Sequence, residues 1–165
     1  MTRNKITYYI FIGIVIALGL VVMITTNTKI VANNQLIIKE QRTNVEYLNV
    51  VVENGDKIEV HWIHSVELTP WVEVYEITDQ RGQMELKLIE TRFQSFGAGV
   101  PDYQIGTAII EDGFIVINDL EVYIERFKWI HSHDASYELK LNGNMIIETK
   151  FLPHHIPIEF FIEKG

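Results

Sequence analysis

The chain has 165 residues, 47% of them hydrophobic, and its 22 acidic and 14 basic residues give a formal net charge of -8. This length suits one domain with an appendage, and the acidic balance argues against nucleic acid, which needs a basic surface, as a partner. The absence of cysteine excludes a disulfide framework and a thiolate zinc site. No motif indicates a cofactor, and we expect none.

The N-terminal residues predict a membrane anchor. A short basic tail, residues 1–5, precedes residues 6–26, which read ITYYIFIGIVIALGLVVMITT and contain no charged side chain. About twenty apolar residues are enough to span a bilayer as a helix. Because the run continues to its end without a good small-x-small cleavage site, an uncleaved signal anchor is favoured over a cleaved signal peptide.

The charges around this run set the predicted orientation. Arg3 and Lys5 favour a cytoplasmic N-terminus, although Lys29, Lys39 and Arg42 beyond the run reduce the contrast. We therefore expect a single-pass protein of the cell membrane. Its parts would be a cytoplasmic tail, a transmembrane signal anchor, a linker and an extracytoplasmic β-domain, at residues 1–5, 6–26, 27–34 and 35–165.

The rest of the chain consists of short alternating runs separated by turn signals such as Asn142-Gly143. The predicted strands are, in chain order, residues 35–39, 45–52, 57–65, 71–78, 84–90, 114–117, 137–141, 147–151 and 158–162. Residues 120–130 fit either a strand or a helix. With about ten short strands and no amphipathic helix, the fold class is predicted to be all-β, an antiparallel β-sandwich or partly closed barrel, preceded by one N-terminal transmembrane helix.

The stretch His61–Ile77 reads as a central β-hairpin with large apolar side chains. Alternation places His64 on the same face as the tryptophan two residues before it. If the strands pair about Leu68 and Thr69, His64 lies directly opposite Glu73, which is a favourable pair for facing residues. A histidine and a carboxylate are therefore expected to meet on one sheet face.

A third ionisable side chain is expected beside this pair. Leu86, Leu88 and Glu90 alternate in the next strand, so that Glu90 ends an apolar row. An unpaired charge in such surroundings costs several kcal/mol or shifts its pKa. The cluster of His64, Glu73 and Glu90 could hold a metal, bind a cationic or polar solute, act as acid and base, or form a structural buried network.

Residues 92–103, RFQSFGAGVPDY, interrupt the strand pattern just after Glu90. The glycines Gly97 and Gly99 predict an ordered loop in which the backbone closely approaches another group. The loop is interpreted either as a tight crossover between sheets or as a wall or lid of the pocket whose glycine amides face a ligand.

Histidines form two further candidate clusters. His131, His133 and Asp134 fall in a loop reading HSHD, for which a solvated loop and a metal site are both open. His154 and His155 are adjacent and, as strand-like neighbours, are expected to point apart.

The segments HSVELTPWVEVYEI, RFQSFGAGVPDY and YELKLNG carry a family resemblance. Over roughly His64 to Asn142, the chain resembles a bacterial family of small proteins of unknown function that are often encoded beside TRAP transporter permeases of the TAXI type. The resemblance implies a membrane-associated accessory to solute uptake and no particular catalytic activity. Its strongest matches are His64, Ser65, Glu73, Phe93 and residues 96–99.

These observations favour a membrane-anchored, extracytoplasmic accessory or ligand-binding protein of a TRAP-type solute transporter, because no recognised catalytic motif is present. Its partners would be the permease or the solute-binding protein of that transporter. The alternative is a small extracytoplasmic hydrolase or metal-binding protein that uses the histidine and carboxylate cluster. Neighbouring His64 and Ser65 do not form a triad, because adjacent strand residues face opposite ways. The predicted ligand-binding residues are His64, Ser65, Glu73, Glu90, Phe96, Gly97 and Gly99.

Overall fold

The computed structural model describes residues 33–95 and 106–165. Within these ranges the chain forms eleven β-strands and one short 3-10 turn, Thr149–Phe151. The strands are β1 (Asn34–Glu40), β2 (Glu46–Val52), β3 (Lys57–Ile63), β4 (Pro70–Gln80), β5 (Gln83–Phe93), β6 (Thr107–Glu111), β7 (Phe114–Ile124), β8 (Arg126–His131), β9 (Glu138–Leu141), β10 (Asn144–Ile147) and β11 (Ile156–Glu163).

Several predictions fall outside these ranges. The tail, the predicted anchor and residues 27–32 of the linker lie outside the described residues, as do Phe96, Gly97 and Gly99 of the glycine loop. Neither residues 33–95 nor residues 106–165 contain a helix long and apolar enough to cross a membrane.

The strands form two antiparallel sheets that do not close into a barrel. The four-stranded sheet has the order β2-β1-β11-β8, and the seven-stranded sheet has the order β10-β9-β3-β4-β5-β7-β6. The all-β prediction is therefore confirmed. The ambiguous segment 120–130 is strand, because it supplies the end of β7 and most of β8.

The core lies between the sheets, as expected when each sheet buries one face. Both sheets contribute fully buried side chains, such as Phe160 from β11 and Phe93 from β5. The other fully buried large side chains are Leu36, Ile38, Ile58, Ile77, Leu86, Leu120, Leu139, Ile147, Leu152 and Ile158.

The predicted register of the central hairpin is wrong. Glu73 lies opposite Val60 of β3, whereas the prediction placed it opposite His64, four residues further along the chain. The strands separate at Ile63 and Pro70, which leaves a six-residue loop, residues 64–69, in place of a tight turn. Because the shift is an even number of residues, the inward and outward faces of both strands stay as predicted.

A hydrogen-bonded turn explains why this loop begins at His64. The His64 amide donates to the Thr69 carbonyl at 2.9 Å, and the Leu68 amide donates to the His64 carbonyl at 2.9 Å. Leu68 adopts a left-handed backbone conformation, with φ of 53°. Pro70 then begins β4, a position where its missing N–H is tolerated.

A β-bulge in β5 overturns the predicted position of Glu90. Val74 pairs with Glu90 and Tyr75 pairs with Leu88, so Ile89 is an extra residue in β5. Beyond such an extra residue, the alternation of faces continues with the opposite parity. Glu90 therefore shares the outer face with Val74, and Thr91 faces inward opposite Glu73.

Candidate functional site

Three aromatic side chains form a row across the inner face of the seven-stranded sheet. Trp62 of β3, Trp71 of β4 and Phe93 of β5 are direct cross-strand neighbours. Their rings stack, with centroid distances of 5.7 Å between Trp62 and Trp71 and 4.9 Å between Trp71 and Phe93. Stacked aromatic neighbours of this kind stabilise a sheet and present broad apolar faces. We call these three residues the aromatic row.

Two further rings pack against the aromatic row. The imidazole of His64 stacks on Trp71 with a centroid distance of 5.6 Å, and Tyr137 stacks on Trp62 at 5.9 Å. Tyr137 also contacts Trp129 of the opposite sheet, with ring centroids 5.9 Å apart. Aromatic groups from both sheets therefore meet around this part of the core.

Glu73 is the next inward-facing residue after Trp71 on β4. It lies between Val60 and the fully buried Thr91 on the neighbouring strands. The Tyr75 hydroxyl donates a hydrogen bond of 2.6 Å to Glu73 Oε2. Burial raises the pKa of the Glu73 carboxyl, and the Tyr75 hydrogen bond opposes that rise without cancelling it. The carboxyl is therefore available as a proton-sensitive acceptor within an aromatic environment.

The phenol of Tyr137 responds to the same carboxylate. Burial, and to a smaller extent the negative charge of Glu73, raise the pKa of Tyr137. Glu73 therefore acts on Tyr137 through its charge.

Trp71, which shares the inner face of β4 with Glu73, carries an unsatisfied donor. Its side chain is only 5% exposed, and its indole Nε1 has no hydrogen-bond partner among residues 33–95 and 106–165. A buried donor without a partner costs about 1–3 kcal/mol. An acceptor that reached this indole would therefore gain a hydrogen bond at little extra desolvation cost.

A shallow depression of about 220 Å³ adjoins the aromatic row. Its lining includes Trp62 and Trp71, together with Pro70, Ser136 and Glu138. This volume is below the range of about 300–1,000 Å³ that is typical of drug-sized ligand pockets, so it suits only a small solute. Glu73 is not among the residues that line this depression.

The predicted His64–Glu73 pair does not form. His64 Nδ1 accepts the Glu67 amide at 3.2 Å, and no hydrogen bond or ion pair in the described part of the chain joins His64 to Glu73. Both residues nevertheless neighbour Trp71, one by stacking and one along β4. Ser65 is exposed in the turn and makes no triad with His64.

Glu90 does not join the cluster, because the Ile89 bulge turns it outward. There it forms an ion pair with Arg92, which raises the pKa of the Arg92 guanidinium. Alternation along β4 correctly places Trp71 on the same face as Glu73. Sequence reasoning missed Thr91 as the neighbour of Glu73 and Tyr137 as the neighbour of Trp62, because the bulge and the non-local position of Tyr137 leave no local signal.

The prediction that His131 lies in a loop with His133 and Asp134 is wrong, because His131 is the last residue of β8. His131 is fully buried, its Nδ1 accepts from Trp129 Nε1 at 3.3 Å, and its Nε2 donates to the Thr149 carbonyl at 2.8 Å. Burial is the main cause that lowers the pKa of His131. His131 is therefore a satisfied core histidine and has no nitrogen left for a metal.

The prediction that His154 and His155 point apart is wrong. Their rings stack with a centroid distance of 3.6 Å. His155 has a positive φ of 60°, so this segment does not alternate like a strand. Exposed Asp134 lies close to both rings.

The fold and the site together define a small β-sandwich-like domain with a shielded carboxyl group beside an aromatic row. The chain belongs to the family described as Domain of unknown function (DUF1850), which matches residues 58–146, more than half of its length. This span runs from β3 into β10 and contains Glu73 and the aromatic row. No curated protein and no solved structure shows a significant match. The resemblance to an uncharacterised family is confirmed, and the family description contains no link to transporters.

Proposed function

We propose that this chain is a membrane-anchored, extracytoplasmic ligand-binding protein that acts as an accessory to a TRAP-type solute transporter. The uncharged apolar run at residues 6–26 supports the anchor, and the basic tail before it supports the orientation. The transporter association rests on the family resemblance alone. Its partner would be the permease or the solute-binding protein.

The observation that carries the ligand-binding role is that Glu73 and Trp71 lie two residues apart on the inner face of β4. Glu73 offers an acceptor whose pKa is raised by burial, and the neighbouring Trp71 offers an indole N–H without a partner among the described residues. A small solute with both a hydrogen-bond donor and an acceptor would satisfy the two groups. A cationic donor would gain further, because the faces of tryptophan and tyrosine attract cations.

Binding is better supported than hydrolysis. A hydrolase of the expected kind needs a nucleophile within reach of a base, and the base needs a group that orients it. His64 instead accepts a backbone amide, and Ser65 is exposed in the adjoining turn. Glu90, the remaining carboxylate of that hypothesis, is paired with Arg92 on the outer face.

A thermal-shift screen of the full chain in detergent tests the ligand-binding role. The panel contains small amines, amino acids and carboxylic acids, and it is run on wild type, Glu73→Gln and Glu76→Gln. Glu76 is the matched control, because it lies on β4 but on the other face, opposite Lys57. We expect a solute that raises the melting temperature of wild type and of Glu76→Gln but not of Glu73→Gln. An equal response of all three proteins would reject Glu73 as the binding group.

Affinity purification from native membranes tests the proposed partner. A tagged full-length chain, solubilised in mild detergent, should recover a TRAP-type permease or its solute-binding protein. Recovery of neither protein under conditions that preserve the transporter would reject the accessory role while leaving ligand binding to the thermal-shift result.

A further inference from the structure

Two histidine-bearing loops meet at one end of the four-stranded sheet. β8 ends at His131 and β11 begins at Ile156, and these two residues pair in the antiparallel ladder. The loop after β8 and the loop before β11 must therefore leave the sheet at the same end. The His155 amide donates to the His131 carbonyl at 2.8 Å, which ties the loops together.

Three metal-binding groups converge where these loops meet. One carboxylate oxygen of Asp134 and one nitrogen each of His154 and His155 lie within 4.8 Å of one another. The left-handed backbone at His155 is the cause, since it brings two neighbouring rings to the same side of the chain. All three side chains are exposed, so their donor atoms can reach an ion and water can fill its remaining positions.

A third histidine, His133, contacts this cluster. The His133 amide donates to His154 Nδ1 at 2.9 Å, and His133 Nε2 donates to the Leu152 carbonyl at 2.9 Å. These hydrogen bonds link the loop of Asp134 to the loop of His154 and His155.

We infer that Asp134, His154 and His155 bind one divalent transition-metal ion. Two imidazoles and one carboxylate suit Zn²⁺, Co²⁺, Ni²⁺ or Cu²⁺, whereas Mg²⁺ and Ca²⁺ prefer sites made of oxygen ligands. Because metal bonds to nitrogen and oxygen are about 2.0–2.2 Å long, the three side chains close in on the ion by rotating about their own bonds. This site uses none of the residues of the proposed ligand site.

Metal binding requires one local rearrangement at His154. A ring nitrogen that accepts an amide proton cannot use the same lone pair for a metal. His154 must therefore release the His133 amide or turn its ring over. The NMR resonance of the His133 amide should therefore shift when a metal binds.

Calorimetric titration of the full chain, purified without a histidine tag, tests this inference. Zn²⁺ is the probe, with Mg²⁺ as the comparison ion. The variants are Asp134→Asn, His154→Asn and His155→Asn, and the control is His61→Asn, which removes a histidine that pairs with Glu59. Asparagine suits position 155 because it tolerates a left-handed backbone better than most residues do.

We expect wild type and the control to bind one Zn²⁺ per chain and Mg²⁺ far more weakly. Each cluster variant should weaken Zn²⁺ binding by more than about tenfold, and Zn²⁺ should move the His133 amide resonance in wild type. Absence of Zn²⁺ binding to the wild type, wild-type affinity in all three variants, or an equal loss in the control would overturn the inference. The same variants leave Glu73 intact, so their result is separate from that of the solute screen.

Discussion

At Glu73, two effects on the carboxyl group oppose each other. Burial favours the protonated form, and the Tyr75 hydroxyl favours the ionised form by donating to Oε2. Burial prevails, so the folded protein holds this proton more tightly than the unfolded chain does. The contribution of this proton to the free energy of unfolding is complete below the pKa of Glu73 in the unfolded chain, about 4.3. It is lost as the pH rises through the higher pKa of Glu73 in the folded protein.

We predict that Glu73→Gln removes this pH dependence without unfolding the protein. The glutamine carbonyl can still accept the Tyr75 hydroxyl, and no buried ion pair is broken, because the partner of Glu73 is uncharged. Urea melts between pH 4 and pH 8 should show wild type losing stability relative to the variant as the pH rises. Glu76→Gln controls for the loss of one negative charge. A difference between wild type and Glu73→Gln that is constant across this range would contradict the prediction.

Individual residues show how far the sequence determines the site. Alternation correctly places Glu73 on the apolar face of β4, because a two-residue period is a local property. It misplaces Glu90, because one extra residue, Ile89, reverses the parity and nothing in LKLIETR marks it. A sequence period therefore predicts faces only as far as the first bulge.

At the scale of elements, the central hairpin shows how a missing turn signal displaces a register. The loop between β3 and β4 turns at Leu68, whose φ of 53° is one that leucine rarely adopts. Glycine or asparagine at this position would have marked the turn. With leucine there, the sequence favoured a tight turn at Leu68-Thr69, four residues out of register.

We predict that Leu68→Asn stabilises the protein by up to about 1 kcal/mol, because asparagine relieves the cost of the left-handed conformation. Leu68 is 76% exposed, so little packing is lost. Chemical denaturation gives the free energy of unfolding. Val66→Asn is the control, since Val66 is exposed in the same loop and is not among the residues with positive φ. A free energy of unfolding lower for Leu68→Asn than for Val66→Asn would contradict the left-handed backbone conformation at Leu68.

At the scale of the whole molecule, the sequence determines the class of fold better than its connections. The all-β class follows from many short alternating runs, and it is confirmed. The pairing of β1 with β11, and of β3 with β9, joins segments far apart in the chain. Such pairings depend on global packing, which explains why the contacts of Tyr137 with Trp62, and of His154 with Asp134, could not be predicted.

We predict that the β-domain lies outside the cytoplasm, tethered by residues 6–26. Protease added to intact protoplasts should then digest the domain and leave a membrane-bound N-terminal fragment. A cytoplasmic protein serves as the control for intact membranes. A domain that is cut only after lysis would contradict this orientation.

The central claim, that a solute binds beside Glu73, is tested most directly by tryptophan fluorescence. The chain has three tryptophans. Trp62 and Trp71 belong to the aromatic row, and their ring centroids are 5.7 Å apart. Tyr137 connects Trp62 to the third, Trp129, with ring centroids 5.9 Å from each. A solute that stabilises the full chain should therefore change the emission in a saturable way, in wild type and Glu76→Gln but not in Glu73→Gln. A solute that stabilises the protein without changing the emission, or that changes it equally in Glu73→Gln, would contradict the claim.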